Sequence, residues 1–184
     1  MRDINDLPDN LPVPLDDGGC RHLAGARLPS IALPATSGPD IDFSTLPGRV
    51  VVFAYPRTGQ PGQPSLVPDW DLIPGARGCT PQTCGFRDLA EDFRREGCAV
   101  FALSTQDTVY QRELAQRLHL PFPVLSDSQF KLTRALNLPL MTVAGEPLLK
   151  RLAWVANNGF IEHVFYPVFP PDKNASEVLA WLRR

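Results

Sequence analysis

Three features of the 184-residue sequence predict an α/β fold with a mixed central β-sheet flanked by helices on both faces. Apolar runs of strand length recur from Val50 onward, and stretches with helical periodicity separate them. A strand pair joined by Asn157-Asn158-Gly159 is then followed by one last amphipathic helix, so the chain alternates β and α before closing on a hairpin.

Residues 1–24 carry Pro8, Pro12, Pro14 and the Gly18-Gly19 pair without hydrophobic periodicity, and read as an irregular arm ahead of a domain over 25–184. Short apolar stretches at Ile31–Leu33 and Ile41–Phe43 suggest a small hairpin. Val50–Tyr55 is a near-continuous apolar run, the pattern of a central strand covered on both faces. Residues 57–78 follow as a loop broken by Pro61, Pro64, Pro68 and Pro74, long enough to count as an insertion. Helical periodicity then places Phe86, Leu89, Ala90 and Phe93 on one face and Arg87, Glu91, Arg94 and Arg95 on others, with Pro81 in the first turn and Gly97 at the end. Cys98–Leu103 is a strand, Thr108–His119 a helix stopped by Pro121, Pro123–Leu125 a short strand, Ser128–Asn137 a helix, and Leu148–Val155 a strand. Phe160–Tyr166 completes the hairpin. The closing helix, about Ala175–Arg183, has Asn174 or Asp172 as its cap and Val178, Leu179 and Leu182 as its buried face. Strand, loop, helix, crossover to a parallel strand and a terminal hairpin with a packing helix is the order of the thioredoxin-like architecture.

Composition narrows the function classes. Hydrophobic residues at 43%, charged residues at 21% and a formal net charge of -2 are those of a soluble globular protein and give no reason to expect nucleic acid or an anionic membrane as partner. The start MRDINDLPDNLPVPLDD lacks the basic and apolar segments of a signal peptide, so a cytoplasmic protein is expected. Four cysteines are too few for a secreted disulfide scaffold. His22, His119 and His163 are scattered without ligand spacing, so neither a metal nor another cofactor is expected. Cys98 opens the apolar run CAVFAL and reads as a small buried hydrophobe, and Cys20 as an incidental thiol.

Cys79 and Cys84, in the run GCTPQTCGFRD, are different, because they lie where the long loop gives way to a helix. The first N–H groups of a helix have no intrahelical partner and the peptide dipoles add positive potential there, so Cys79 is the candidate nucleophile. Cys84 lies about 140° further around the helix and roughly 8 Å away by Cα. A disulfide requires Cα atoms within about 7 Å, so any bond between the two demands that the first turn unwind.

The stretch VVFAYP, the run GCTPQTCGFRD and the hairpin KRLAWVANNGFIEHVFYP together resemble the peroxiredoxins, specifically the peroxiredoxin Q or bacterioferritin comigratory protein type, over roughly residues 25–184. The resemblance implies a thiol peroxidase that reduces hydrogen peroxide or alkyl hydroperoxides. Cys79 matches the peroxidatic position and Cys84 the resolving one, with an intramolecular disulfide recycled by thioredoxin or another dithiol, in a protein that is a monomer. It also implies an arginine on the strand before the hairpin to stabilise the thiolate and transition state, here Arg151. Counting back from Gly159 without a gap selects Lys150 instead, so the register needs a turn one residue shorter.

The chain departs from the family pattern upstream of Cys79. The family's Pro-x-x-x-Thr/Ser-x-x-Cys supplies a peroxide-binding hydroxyl, whereas Leu72 and Ala76 stand seven and three positions before Cys79. Pro56 keeps its place after the core strand; Thr58, Thr80 or backbone N–H groups of IPGARGC are the candidate replacements, and Arg77 is a candidate extra cation. The insertion, with Trp70, is expected to fold over the cysteine pocket and narrow it. Gly85 is expected to loosen the helix by about 1 kcal/mol relative to alanine. Two rival readings remain at this point: a protein dithiol oxidoreductase on the same fold, and a non-enzymatic redox sensor or binding module.

Overall fold

A computed structural model describes residues 7–184. The core is a five-stranded sheet of order β5-β4-β3-β8-β9, formed by β3 (Arg49–Ala54), β4 (Cys98–Ser104), β5 (Val124–Ser126), β8 (Leu152–Asn157) and β9 (Phe160–Phe165). The first three are parallel, while β8 runs antiparallel to β3 and β9 antiparallel to β8, so the sheet is mixed. Successive side chains of β3 point to opposite faces. Val50, Val52 and Ala54 enter one apolar cluster with Leu23, Leu28, Phe43 and Trp154, and Val51, Phe53 and Tyr55 enter the other with Phe86, Phe93, Leu114 and Val178.

The second face carries α1 (Cys79–Asp88), α2 (Ala90–Arg95), α3 (Thr108–Arg117) and α5 (Asn174–Leu182), and the first carries α4 (Lys131–Ala135). This is the thioredoxin-like α/β fold. A small hairpin of β1 (Ala32–Leu33) and β2 (Ile41–Asp42) lies ahead of β3. Cys20 and Leu23, in the arm, are buried in the first cluster. The turn after β8 forms as its residues require, with φ of 48° at Asn158 and 81° at Gly159.

Four expectations need correction. The helix carrying both cysteines is not continuous: it breaks at Leu89 (φ -99°, ψ 8°), where α1 ends and α2 begins. Leu148–Val155 is not one strand. The turn at Ala144-Gly145, both at positive φ, folds β6 (Leu140–Val143) against β7 (Glu146–Leu149) as a separate hairpin, and β8 starts after a break at Lys150 and Arg151. The fourth helix is shorter than Ser128–Asn137, because Asp127 receives the Leu132 and Thr133 N–H groups and fixes where it begins. Neither Asn174 nor Asp172 caps α5: Lys173 occupies the cap position with no side-chain bond, and Asn174 turns toward α1.

The insertion has an apolar core of its own. Trp70, Ala76, Val143 and Leu148 are buried together, with Leu66, Val67, Ile73 and Met141 against them, so the loop is seated on the β6-β7 hairpin. Burying these side chains is what orders a proline-rich segment of this length.

Candidate active site

Cys79 is the first residue of α1, reached through Gly78 at φ 102°. A side chain at Gly78 is doubly unfavourable, since a Cβ there would stand 2.3 Å from Pro171 Cγ and the backbone is left-handed. The glycine therefore lets the inserted loop turn tightly into the helix and leaves the Cys79 thiol at its first turn.

Arg151 lies in the break between β7 and β8, not within a strand, and is 3% exposed. Its Nη2 is 3.3 Å from Cys79 Sγ and donates to the carbonyls of Gly75, Ala76 and Arg77 at 3.2, 3.2 and 3.0 Å. Its Nη1 donates to Gln82 Oε1, from one turn further into α1. Guanidinium is always charged and offers donors in a rigid plane, so these acceptors hold a permanent cation against the sulfur. The thiol itself donates to the Ala76 carbonyl at 3.5 Å. Lys150, the ungapped alternative, points elsewhere and pairs with Asp17 at 2.5 Å.

Cys79 opens into a cleft of about 280 Å³ lined by Arg57, Thr58, Ser65, Leu66, Trp70, Arg77, Thr80 and Tyr110, among others. Trp70, Leu66 and Ser65 come from the insertion, so the loop does wall the cysteine pocket. Arg77 Nη1 is 3.7 Å from Asp71 Oδ1 and shares the same wall. Of the candidate hydroxyls, Thr58 and Thr80 both line the cleft and are buried. Thr58 is fixed in place: Gln106 Oε1 accepts from its N–H at 2.9 Å and its hydroxyl at 3.0 Å, while Gln106 Nε2 and the Tyr110 hydroxyl donate to its carbonyl. Pro56 is buried at the end of β3 and lies outside the cleft lining.

Cys84 is half-buried on another side of α1, among the core residues of the second cluster. Burial raises its pKa, partly offset by the positive charge of Arg87. Cys20 and Cys98 are pushed up to about 12, mainly by burial. All four thiols are free. Among the described residues no group of three or more histidine, cysteine or acidic side chains is placed to hold a metal ion, and no helix is long and apolar enough to cross a membrane.

Gly85 has a packing reason beside its helix propensity. A Cβ there would lie 3.3 Å from the Asp172 carbonyl and 3.5 Å from Ala175 Cβ, so the glycine allows α1 to approach the start of α5 closely. The sequence pointed to neither Gln82 nor Gln106, and to Asn174 only as a helix cap. Buried amides have no periodic signature; the one available signal was the position of Gln82 between the two cysteines.

Residues 23–180 match the Redoxin family model. Among curated relatives, the chain is 29% identical to chloroplastic peroxiredoxin Q of Oryza sativa subsp. japonica over 161 residues, 86% of this chain and 66% of that one. It is 29% identical to chloroplastic peroxiredoxin Q of Suaeda salsa over 86% of this chain and 67% of that one. The chain thus spans about two thirds of the length of these relatives. Among solved structures, peroxidoxin BcpB of Mycobacterium tuberculosis superposes with a TM-score of 0.68 at 26% identity, covering 87% of this chain and 96% of that one. A cysteine-to-serine mutant of Xylella fastidiosa PrxQ gives 0.70 at 18% identity over 87% and 94%, a likeness of fold. The chain belongs to the redoxin family, and the proteins it is similar to there are peroxiredoxins of the Q and bacterioferritin comigratory type.

Proposed function

We propose that the protein is a thiol peroxidase that reduces hydrogen peroxide and small organic hydroperoxides. The observation that carries this reading is the Cys79 sulfur at a helix start, 3.3 Å from the buried Arg151 guanidinium and open to a cleft. The Cys79 thiolate attacks one peroxide oxygen; the S–O bond forms as the O–O bond breaks, and the leaving hydroxide or alkoxide takes a proton to become water or alcohol. Arg151 holds the thiolate and the developing negative charge; the Thr58 hydroxyl, whose proton goes to Gln106 Oε1, is placed to accept a hydrogen bond from the peroxide, and the Thr80 hydroxyl lies on the same cleft lining. Arg77, paired with Asp71, lines the cleft wall.

The first turn of α1 then unwinds, the Cys84 sulfur displaces the sulfenic oxygen as water, and a Cys79–Cys84 disulfide results. Thioredoxin or a similar dithiol returns both thiols. Cys79, Cys84 and Arg151 come from one chain, so a monomer holds the complete cycle, and four free cysteines suit the reducing cytoplasm. The placement of Cys84 outside the cleft weighs against a protein dithiol exchanger, which needs both sulfurs at one exposed surface.

Stopped-flow oxidation of the reduced protein by hydrogen peroxide tests the reading: the rate should exceed that of free cysteine by several orders of magnitude and vanish in Cys79→Ser. A rate near that of free cysteine sinks the peroxidase. The Trp70 wall predicts a second result. Trp70→Ala should raise kcat/KM for a bulky lipid hydroperoxide about tenfold or more relative to hydrogen peroxide, the scale expected for relieving steric rejection in a pocket; an unchanged ratio would show that the insertion does not gate the cleft.

A further inference from the structure

Gln82 is fully buried and lies in α1 between the two cysteines. Its amide has two ends and both are used. Oε1 accepts from Arg151 Nη1, and Nε2 donates to Asn174 Oδ1 at 2.9 Å. Asn174 is the first residue of α5, itself fully buried, and its Nδ2 makes no hydrogen bond among the described residues. The same side of α1 carries Gly78 and Gly85, positions four before and three after Gln82, and both press against the lead-in to α5, at Pro171 and at Asp172 and Ala175. Glycines give that contact nothing to grip with. The Gln82 amide thus supplies the side-chain hydrogen bond that fastens α1 to α5.

We propose that Gln82 is a positioning residue with two separable effects: through Oε1 it holds Arg151 against Cys79, and through Nε2 it ties the front of α1 to Asn174, which sets how long the sulfenic acid waits before the helix opens. This rests on the peroxidase reading. While the tie holds, Cys84 cannot reach the oxidised sulfur, and a second hydroperoxide can attack it; a further S–O bond forms, the O–O bond breaks, and sulfinic acid and an alcohol or water result. When the tie breaks, Cys84 condenses with the sulfenic acid and water leaves. The unpartnered Asn174 Nδ2 biases the tie toward release, because opening lets water satisfy a donor that the closed form leaves bare. A tie with that bias opens often while still keeping Arg151 in place when closed.

The two effects come apart in variants. Asn174→Ala removes the tie and leaves the Arg151 bond, so the first oxidation of Cys79 should stay within about twofold of wild type. Excess hydrogen peroxide without reductant should then yield several-fold less sulfinic protein, read by mass as two added oxygens against the disulfide's loss of two hydrogens. Gln82→Leu removes both bonds, and should slow the first oxidation by tenfold or more as well. Leu182→Ala controls for general loosening of α5 and should leave the partition alone. Amide hydrogen exchange of reduced protein gives a readout that needs no peroxide: Asn174→Ala should speed exchange over 79–84, and Leu182→Ala should not. The proposal is overturned if Asn174→Ala leaves both partition and exchange unchanged, or if Leu182→Ala moves them equally. If wild type is not oxidised at all, the peroxidase reading fails on that result, and the exchange arm still decides whether the tie exists.

Discussion

The two halves of α1 are held in place by different physics. The front, from Gly78 to Thr83, is fastened by polar contacts: Arg151 to Cys79 and Gln82, Gln82 to Asn174, and the Thr83 hydroxyl to the Cys79 carbonyl at 2.8 Å. The back is fastened by aromatic stacking. Phe86 lies parallel to Phe53 at 4.1 Å between centroids, with Phe93 at 5.5 Å, all fully buried. A neutral polar contact can be traded for one with water at a net cost of about 0.5–1.5 kcal/mol and one to the Arg151 guanidinium at about 1.5–3 kcal/mol, whereas exposing an aromatic side chain of about 150–250 Å² has no such replacement. In the proposed cycle the helix therefore opens from Cys79 as far as Cys84 and stops at Phe86. That range is what a disulfide between the two cysteines requires.

The strongest way to break this contrast is Phe86→Ala. Deleting a buried phenylalanine costs about 3–5 kcal/mol, measurable by denaturant titration, and here it also removes the stop. Hydrogen exchange should then lose the step in protection between 79–84 and 86–88. If the step survives the substitution, stacking is not what limits the opening, and the boundary must come from the Leu89 break instead.

A smaller effect is expected of Gly85→Ala, at the boundary between the halves. Propensity alone favours alanine by about 1 kcal/mol. The Cβ, however, meets a backbone carbonyl at 3.3 Å, an atom that cannot swing away as a side chain can, and overpacking costs about 1–3 kcal/mol. A net loss is expected, and for a domain of this size each kcal/mol lowers Tm by about 2–4 °C. Because the clash pushes the front of α1 off α5, the variant should also form less sulfinic acid at a given peroxide dose. A raised Tm with more sulfinic acid would mean that the glycine acts through helix propensity.

What the sequence disclosed follows the same division. The apolar half was legible: Phe86 and Phe93 at helical spacing and the alternation along β3 follow from hydrophobic patterning, which is local. Cys79, Cys84 and Arg151 were singled out through a motif, and the structure sets Arg151 against Cys79. The roles of Gln82, Gln106 and Asn174 were not legible, since their side chains bond partners 48 to 92 residues away, and nothing near them in sequence announces it. The break at Lys150 and Arg151 was missed because the apolar run LL-KR-LAWV reads as one strand with two charges in it. Only the turn at Ala144-Gly145 shows that Leu148 and Leu149 pair backwards to β6. That break matters, because a residue between strands can turn its guanidinium toward three carbonyls of the inserted loop.

The smallest effect separates Cys84, the thiol that the proposed cycle exposes, from the buried Cys98. Cys98 opens β4 in the second core cluster, and burial pushes its pKa up to about 12, above the usual thiol value of about 8.5. In the unfolded chain the thiol ionises at about 8.5, while the folded form keeps its proton to about 12. Above the lower value the folded state thus binds more protons than the unfolded one, and stability falls as pH rises from about 9 toward 12. Below about pH 8 both states hold the proton and the group adds no pH dependence. Cys98→Ala should accordingly flatten part of the alkaline decline in denaturant midpoint without changing its slope at neutral pH. Cys84 shares the direction of this shift but sits only half-buried at the edge of the part that opens, so alkylation at about pH 9 should label it by local opening while Cys98 waits for global unfolding. Equal labelling rates for the two would mean that α1 does not open by itself, and with that the polar half would lose its distinction from the aromatic one.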